Sequence, residues 1–469
     1  MSDSQNSAQS SLVIKGDVVT PGNPTYKEAI ARWAANAERK AKIVAFVKDD
    51  EDVVTSIKFA RENSLPIAVR GGGHSAGAAS SVEDGLVIDL SRYLNGATVD
   101  PEKKLVYVGG GALWEAVDKA AIKHGLATVG GTVNHTGVGG LVLGGGYGWL
   151  SGAHGLAIDN LVQVTIVTTE GSILIANEEQ NLDLFFAVRG GGGNFGVVTE
   201  FVLKLHPQRA TVYSGLIIFP PPKMGQIIEA TNEWLKTNRE NQAMFQVSTP
   251  TPDGMPAFGI IPFYNGSESE GREKFKFLFD IGPVADMTKE MPFEELNALQ
   301  NPMTMHGKGV YQKGVAHIRP HPEAVVQAHN RLMEIVKEGH FIGQIIYEYV
   351  PLDKINSVPT HATAFRREIT SNILVNLTWD QSIQDRTEGG RKIAKELTSI
   401  LAGSASDLTI SQSLGYSNYD PDYSAGRSTD GAVDKAKLTF GENYPRLQAI
   451  KRKYDPDNVF DKWFPITPA

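Results

Sequence analysis

The sequence predicts an α+β protein of two domains, and three observations lead to this prediction. The chain has 469 residues, more than one hydrophobic core ordinarily holds. Before residue 208, short strand and helix signals alternate between dense glycine clusters, a pattern typical of nucleotide-binding α+β domains. After residue 208 glycine thins out and β-prone runs alternate with helical segments, which predicts a largely antiparallel sheet with helices on one face.

The composition excludes several classes of function. The net charge is −8 and no block is rich in Lys or Arg, which argues against nucleic acid and membranes as partners. The chain has no cysteine, which excludes disulfides, thiolate nucleophiles and zinc–thiolate sites. Residues 1–11 lack the features of a signal peptide, and no apolar run is as long as a membrane helix. We therefore expect a cytoplasmic protein.

The first part of the chain alternates short helix and strand signals up to residue 124. Residues 1–25 read as a disordered lead-in to this region. The predicted elements that follow are a helix at 26–40, a strand at 43–47, a helix at 52–63, strands at 67–69, 85–90 and 105–108, and a helix at 112–124.

A first glycine cluster follows the strand at 67–69. It reads Arg-Gly-Gly-Gly-His-Ser from Arg70 to Ser75 and ends at Gly77. Glycine has no Cβ and tolerates positive φ, so such a loop can bring backbone N–H groups close to an anion. Taken alone, the cluster fits a phosphate-binding loop and a plain turn equally well.

Two further glycine clusters favour the ligand-binding interpretation. Nine of the twenty residues from 129 to 148 are glycine, and they are interleaved with Val and Leu. A flexible linker would instead be rich in Ser and poor in these apolar residues. A third cluster, at 189–198, begins a predicted strand. Together the clusters predict backbone folded tightly around a large flat ligand.

The second half of the chain has the pattern of an antiparallel sheet with covering helices. Its predicted strands are at 212–219, 257–263, 343–350 and 372–379, and its predicted helices are at 225–237 and 322–339. The chain ends in an amphipathic helix that begins near Asn443 and is stopped by Asp455 and Pro456.

Three motifs give a specific resemblance. The Arg70–Ser75 loop, the Gly137–Gly148 run and the terminal Tyr454–Phe460 segment occur in the order seen in berberine-bridge-enzyme-like FAD-linked oxidases. The chain resembles this family, which has the vanillyl-alcohol-oxidase fold, from about residue 38 to its end. The resemblance implies a PCMH-type FAD-binding domain at 1–208 with its core at about 38–208, a substrate-binding domain at 209–414, and a C-terminal berberine-bridge-like segment at 415–469 that completes the FAD domain.

The resemblance also implies FAD as cofactor, bonded covalently through the His74 ring to the flavin 8α-methyl group. Many relatives carry a second link through a cysteine fourteen residues before the tyrosine of the Gly-Gly-Gly-Tyr-Gly motif. That position is Val133 here, so His74 would be the only link. The implied cofactor-binding residues are Arg70, Gly71, Gly72, Gly73, His74, Ser75, Gly77, Val133, Thr136, Gly137, Gly140, Gly144, Tyr147, Asn160, Val198 and Asn443.

Two residues next to the missing cysteine have further expected roles. His135 is either a polar neighbour of the flavin or a packing histidine. Thr136 occupies a position said to gate oxygen in relatives, and its small side chain favours admission of O2.

Catalysis in this family is hydride transfer to flavin N5, assisted by a base that takes a proton from an O–H or N–H group. Tyr147 and Tyr416 match family positions near flavin and substrate. The base is left open among Tyr347, Glu348, Tyr349 and His306, with Tyr347 taken as the third catalytic residue. Because side chains alternate along a strand, Glu348 points away from the cavity if the tyrosines beside it face the cavity.

We therefore predict an FAD-linked oxidoreductase that oxidises a small organic substrate, with O2 as electron acceptor. A phenolic, alkaloid-like or alcohol metabolite is the expected substrate. Three alternatives stay open: a carbohydrate or oligosaccharide oxidase, a flavin-dependent cyclase or Diels–Alder-type catalyst without net redox, and a flavin-binding protein without catalysis. The missing cysteine counts against the carbohydrate oxidase, because sugar oxidases of this family usually carry both flavin links.

Overall fold

The computed structural model of the protein describes residues 11–237, 239–251, 253–368, 370–402, 408, 413–423 and 434–469. Its N-terminal portion contains a four-stranded sheet whose last three strands are parallel. In sheet order these strands are Asp17–Val19, Ile43–Phe46, Leu86–Asp89 and Ile67–Arg70. The helix Asp50–Glu62 begins where the Asp49 carboxylate accepts a hydrogen bond from the Asp52 amide, and three acidic residues in its first turn favour the helix dipole.

Two predictions for this region need correction. The lead-in predicted as disordered contains the strand Asp17–Val19. This strand pairs with the strand Ile43–Phe46 and so adds an edge strand to the sheet. The helix predicted at 26–40 is limited to Tyr26–Ile30, followed by a 3-10 turn at Ala35–Ala37. Between them the chain turns so that Trp33 is buried, and its indole N–H donates to the carbonyl of Thr304.

A five-stranded antiparallel sheet completes the N-terminal portion. Trp114, Phe185, Phe195 and Phe201 are fully buried in its core. In sheet order the strands are Ala97–Asp100, Leu105–Gly109, Val197–Lys204, Leu161–Val167 and Ile173–Asn177, and the helices around them are Trp114–Ile122, Val138–Leu143, Ser151–His154 and Leu182–Val188. A short pair, Leu126–Ala127 with His206–Pro207, lies beside them.

The second half forms a nine-stranded antiparallel sheet. Along its main path the strands are Ala285–Asp286, Ile217–Phe219, Pro256–Tyr264, Gln242–Pro250, Ile342–Tyr349, Ser371–Trp379 and Gly309–His317. Off this path, Thr211–Ser214 pairs with Pro256–Tyr264 and with Lys289–Pro292. The helices Met224–Trp234, Pro322–Lys337 and Thr387–Ala402 pack their apolar sides on one face.

This arrangement confirms the predicted α+β fold of two parts, the second an antiparallel sheet with helices on one face. The domain boundaries at 208 and 414 stay predictions. The strands at 242–250 and 309–317 were not predicted, because both mix polar residues with apolar ones and are positioned by their neighbours. The helix at 387–402 was not predicted either. The smaller helices are Glu268–Lys274, Lys276–Ile281, Phe293–Leu296, Asp353–Asn356 and Lys435–Phe440. None of the helices described is both long enough and apolar enough to cross a membrane.

The C-terminal helix Tyr444–Tyr454 is attached to the N-terminal portion through Lys451, which also forms a buried ion pair within its own segment. The Lys451 ammonium lies 2.6 Å from the Asp455 carboxylate, and both side chains are fully buried. Lys451 also donates to the carbonyl oxygens of Asn194, at 2.7 Å, and of Phe460, at 2.8 Å. Asn194 belongs to the third glycine cluster, so the terminal motif fixes the position of that loop.

We expect Lys451→Met to lower the free energy of unfolding by about 3–5 kcal/mol, because it leaves the Asp455 charge buried and unpaired. Lys453→Met on the same helix removes an exposed ion pair with Asp183 and should cost at most about 1 kcal/mol. Urea unfolding followed by tryptophan fluorescence compares the two variants. Equal urea midpoints for the two variants would show that the buried contacts of Lys451 do not stabilise the protein.

Candidate active site

A cavity of about 310 Å³ lies between the glycine loops of the N-terminal portion and one face of the large sheet. All three glycine clusters contribute glycines to its wall: Gly71, Gly72 and Gly73 from the first, Gly137, Gly139, Gly140 and Gly144 from the second, and Gly192, Gly193 and Gly196 from the third. The opposite wall comes from the three neighbouring strands Gly309–His317, Ile342–Tyr349 and Ser371–Trp379, together with residues 416–419. Segments far apart in sequence therefore meet at one site.

The glycines of the cavity wall act in two ways. Gly72 and Gly137 let two loops touch, since a Cβ on Gly72 would lie 2.5 Å from the Gly137 Cα. Gly140 and Gly193 line the cavity, and a Cβ on either would meet no protein atom within 4 Å. Side chains at these two positions would project into the ligand space. The loops thus present a bare backbone surface, which fits a large flat group such as FAD.

His74 lies at one end of this cavity in a cluster of rings. Its imidazole stacks on the Trp33 indole, with centroids 4.1 Å apart and planes within 10°. The Nε2 atom of His74 is 3.2 Å from Nδ1 of His135, whose other ring nitrogen is 3.2 Å from the Thr304 hydroxyl. Burial, reinforced by His135 and His306, lowers the pKa of His74 to about 3. The imidazole is therefore neutral at pH 7 and keeps a nucleophilic lone pair.

Glu348 provides a carboxylate in the sheet wall of the cavity. It is 4% exposed and lines the cavity. The hydroxyl of Tyr147 donates to one of its oxygens, and the hydroxyl of Tyr419 donates to the other at 2.9 Å. Asn372 in turn donates to the Tyr147 hydroxyl at 3.0 Å. Burial raises the pKa of Glu348 to about 7, so the carboxyl group can exchange a proton near neutral pH.

Tyr416 connects this carboxylate network to the second glycine cluster. Its hydroxyl accepts hydrogen bonds from the Gly146 amide at 3.0 Å and from the Asn418 side chain at 2.7 Å. Its own backbone amide donates to the Asn372 side chain at 2.8 Å. The Tyr416 ring contacts the Tyr147 ring edge to face, with centroids 4.8 Å apart. These contacts hold Tyr147 against Glu348.

Tyr347, predicted as a catalytic residue, lies outside the cavity lining. Tyr347 and Tyr349 lie on the helix-covered face of the sheet, fully buried, and no described residue hydrogen-bonds their hydroxyls. Alternation along the strand then turns Glu348 towards the cavity. The sequence shows only the alternation, with Gln344 and Glu348 in one set and the two tyrosines in the other, and does not show which set faces the cavity. His306, another candidate for the base, is exposed and lies beside His135, with ring centroids 4.8 Å apart.

Most of the other predicted site residues lie along the cavity. Tyr147 and Tyr416, predicted as catalytic, both line it. Of the predicted cofactor-binding residues, those that line it are Gly71, Gly72, Gly73, His74, Ser75, Val133, Thr136, Gly137, Gly140, Gly144, Tyr147 and Val198. No local sequence pattern indicated a role for the cavity residues Gln312 and Gln344. Their position together in the cavity wall depends on which strands pair in the sheet.

Four predicted cofactor-binding residues lie outside the cavity lining and make contacts with other residues of the protein, so their role stays a prediction. Arg70 pairs with the buried Asp89 carboxylate at 3.0 Å, and the Gly77 carbonyl accepts from the Tyr423 hydroxyl. Asn160 caps the turn before its own strand by donating to the carbonyls of residues 154 and 156. Asn443 donates to the carbonyls of residues 360 and 363.

Comparison with known proteins extends over nearly the entire chain. A family model described as "FAD binding domain" matches residues 41–177, and one described as "Berberine and berberine like" matches residues 416–464. The FAD-linked oxidoreductase pgmH of Aspergillus terreus is 34% identical, covering 97% of this chain and 94% of the relative. (R)-6-hydroxynicotine oxidase of Paenarthrobacter nicotinovorans is 26% identical, covering 97% of this chain and 98% of the relative. The crystal structure of 6-hydroxy-D-nicotine oxidase from Arthrobacter nicotinovorans has a TM-score of 0.86 at 24% identity, covering 98% of this chain and 99% of that one.

Proposed function

Since the chain belongs to the berberine-bridge-enzyme-like FAD-linked oxidoreductases, we propose that it is an oxidase acting on a small phenolic or alkaloid-like metabolite, with O2 as electron acceptor. The observation that carries the proposal is the Glu348 carboxyl group, buried in the cavity between two tyrosine hydroxyls. The hydroxynicotine oxidase among the relatives supports the substrate class, since its name indicates a hydroxylated nitrogen heterocycle.

Glu348 is the proposed proton acceptor. FAD, when bound, supplies the acceptor for the hydride. As the hydride leaves a substrate carbon, the adjacent O–H or N–H group must lose its proton. A carboxylate whose pKa lies near the working pH is the best match for this task. Tyr147, whose pKa burial raises well above its ordinary value, stays protonated and passes the proton from substrate to Glu348 through its hydroxyl.

His74 is the proposed point of covalent flavin attachment. Its imidazole is neutral, is held between Trp33 and His135, and lies at the end of the cavity. His135 engages one ring nitrogen, so the other would replace a hydrogen of the flavin 8α-methyl group, with the flavin taking up the two electrons released and O2 reoxidising it. Val133 lines the same cavity and has no side-chain group able to make a second link. A single attachment is therefore proposed, with the glycine loops and Tyr416 holding the rest of the flavin.

The pH dependence of turnover follows from Glu348. Because its pKa is raised from 4.5 to about 7 and its ionised form is the base, kcat/KM should fall about tenfold per pH unit below pH 7 and level off above it. Burial also raises the pKa of Asp118 to about 7, but Asp118 lies outside the cavity lining and hydrogen-bonds Asn297. An inflection due to Glu348 disappears in Glu348→Gln, whereas one due to Asp118 persists and contradicts the assignment.

Anaerobic mixing tests the proposed function itself. Phenols and hydroxylated N-heterocycles, including 6-hydroxynicotine, are added to the holoenzyme while flavin absorbance is followed. An oxidase substrate bleaches the flavin, and readmitted air restores the colour with one hydrogen peroxide formed per flavin. Conversion of a substrate without bleaching would instead favour a cyclase without net redox.

A further inference from the structure

Three amide side chains form a row across the sheet wall of the cavity. Asn376 lies on the central of three strands, directly opposite Gln312 on one neighbour and Gln344 on the other. Residues paired across antiparallel strands project to the same face. All three line the cavity, so the row faces the ligand space.

Two amides of this row are buried with an unpaired acceptor. Gln344 is 6% exposed and Asn376 is 3% exposed. No described residue hydrogen-bonds the side-chain carbonyl oxygen of either one. Buried polar groups are nearly always paired, and an unpaired buried acceptor is costly. Both side chains line the cavity, and a half-turn of the amide group exchanges its oxygen and nitrogen, so each amide can turn its oxygen towards a ligand that brings hydrogen-bond donors.

The amide row is separated from the catalytic carboxylate by an apolar band. Glu348 is four residues beyond Gln344 on the same strand, a separation of about 13 Å at 3.3 Å per residue. Between them on the same face lie Ile346 and its cross-strand partner Leu374, both buried and both lining the cavity. The wall therefore presents a polar end, an apolar middle and a second polar end.

We propose that the substrate is an elongated, flat molecule with an apolar middle, whose reacting O–H or N–H lies at Glu348 and whose far end carries hydroxyl or N–H donors bound by Gln344 and Asn376. This rests on the proposed oxidase function and names the substrate class of the same site. An oligosaccharide fits less well, because its hydroxyl groups would contact the side chains of Ile346 and Leu374, which offer them no hydrogen bond.

Matched ligands test the far-end contact. The probes are 4,4′-dihydroxystilbene, whose hydroxyls are about as far apart as the two polar ends, and its monomethyl ether. Their Kd values are measured anaerobically from flavin absorbance changes in Glu348→Gln holoenzyme, in which turnover is slow. The diol should bind about 10- to 100-fold more tightly than the ether. Adding either Gln344→Met or Asn376→Leu should bring that ratio close to one, with the flavin spectrum reporting that each variant still binds FAD.

Gln246→Met is the matched control. Gln246 is also a buried glutamine whose side-chain carbonyl has no hydrogen-bond partner in the described residues. It lies opposite Tyr347, on the helix-covered face of the same sheet, so its replacement should leave the ratio unchanged. The proposal would be overturned if the diol and the ether bind equally well before any amide is replaced. It would also be overturned if the preference for the diol survives both amide substitutions. Tighter binding of cellobiose than of the diol would assign the row to a sugar.

The outcomes also separate this proposal from the proposed function. If phenols bleach the wild-type flavin but the diol shows no advantage, the far-end contact is wrong and the oxidase stands. If the diol is preferred through Gln344 and Asn376 but no phenol bleaches the flavin, the binding site stands and the oxidase is wrong.

Discussion

Glu348→Gln should lower the rate of substrate-dependent flavin bleaching by about 10²–10⁴-fold, the usual contribution of a positioned general base. Glutamine has nearly the same size. Its carbonyl oxygen can accept the hydrogen bond from one of the two tyrosines, and its NH2 group takes the place of the other carboxylate oxygen and can donate to the second hydroxyl. It cannot take up a proton, so the loss reports proton acceptance and not packing. Anaerobic stopped-flow mixing measures this step directly, because bleaching precedes reoxidation.

Tyr347→Phe is the control for this substitution. Tyr347 is the residue before Glu348 on the same strand, but its side chain lies in the core on the opposite face of the sheet. No described residue hydrogen-bonds its hydroxyl. Its replacement should leave the bleaching rate near that of the wild type. Bleaching by Glu348→Gln at the wild-type rate would exclude Glu348 as the base. A large loss in Tyr347→Phe would restore the residue that the sequence favoured.

His74→Ala should abolish covalent flavin attachment. In the wild type, the intact mass under denaturing conditions should equal the polypeptide plus one FAD less two hydrogens, because one bond replaces a ring N–H and a methyl C–H. In His74→Ala the mass should be that of the polypeptide alone, and the yellow colour should leave the protein on acid precipitation. This is an all-or-none difference, readable by mass spectrometry without any substrate.

His306→Ala is the matched control, since His306 is an exposed member of the same ring cluster. It should retain covalent flavin. Covalent flavin remaining in His74→Ala would move the attachment to another residue, with His135 the nearest side chain able to form it. A wild-type mass lower by two further hydrogens, as a second bond to the same flavin would give, would contradict single attachment.

Much of this architecture is readable from local sequence patterns. The glycine clusters predict a ligand-binding wall because glycine spacing reports where backbones approach closely, as Gly72 and Gly137 do. Three ordered motifs predict the family, which is confirmed by the matching family models and relatives. The strands around Glu348 and Asn376 are also predicted, since they are rich in β-branched and aromatic residues.

What local patterns leave undetermined is which face of a strand meets the ligand. Alternation shows that Tyr347 and Glu348 point in opposite directions, but not which one enters the cavity. That choice depends on where the covering helices pack, and in the structure the tyrosines fill the core beneath them. The pairing of Gln312, Asn376 and Gln344 is equally non-local, because it depends on strand order.

The position of bound flavin relative to His74, Tyr147 and Glu348 tests the proposed function most directly. A crystal structure of the holoenzyme should show continuous density between the His74 ring and the flavin 8α-methyl carbon. It should also place flavin N5 on the side of the cavity occupied by Tyr147 and Glu348, with room for a substrate against the sheet. A flavin ring turned away from Glu348, or separated from His74 by clear solvent density, would contradict it.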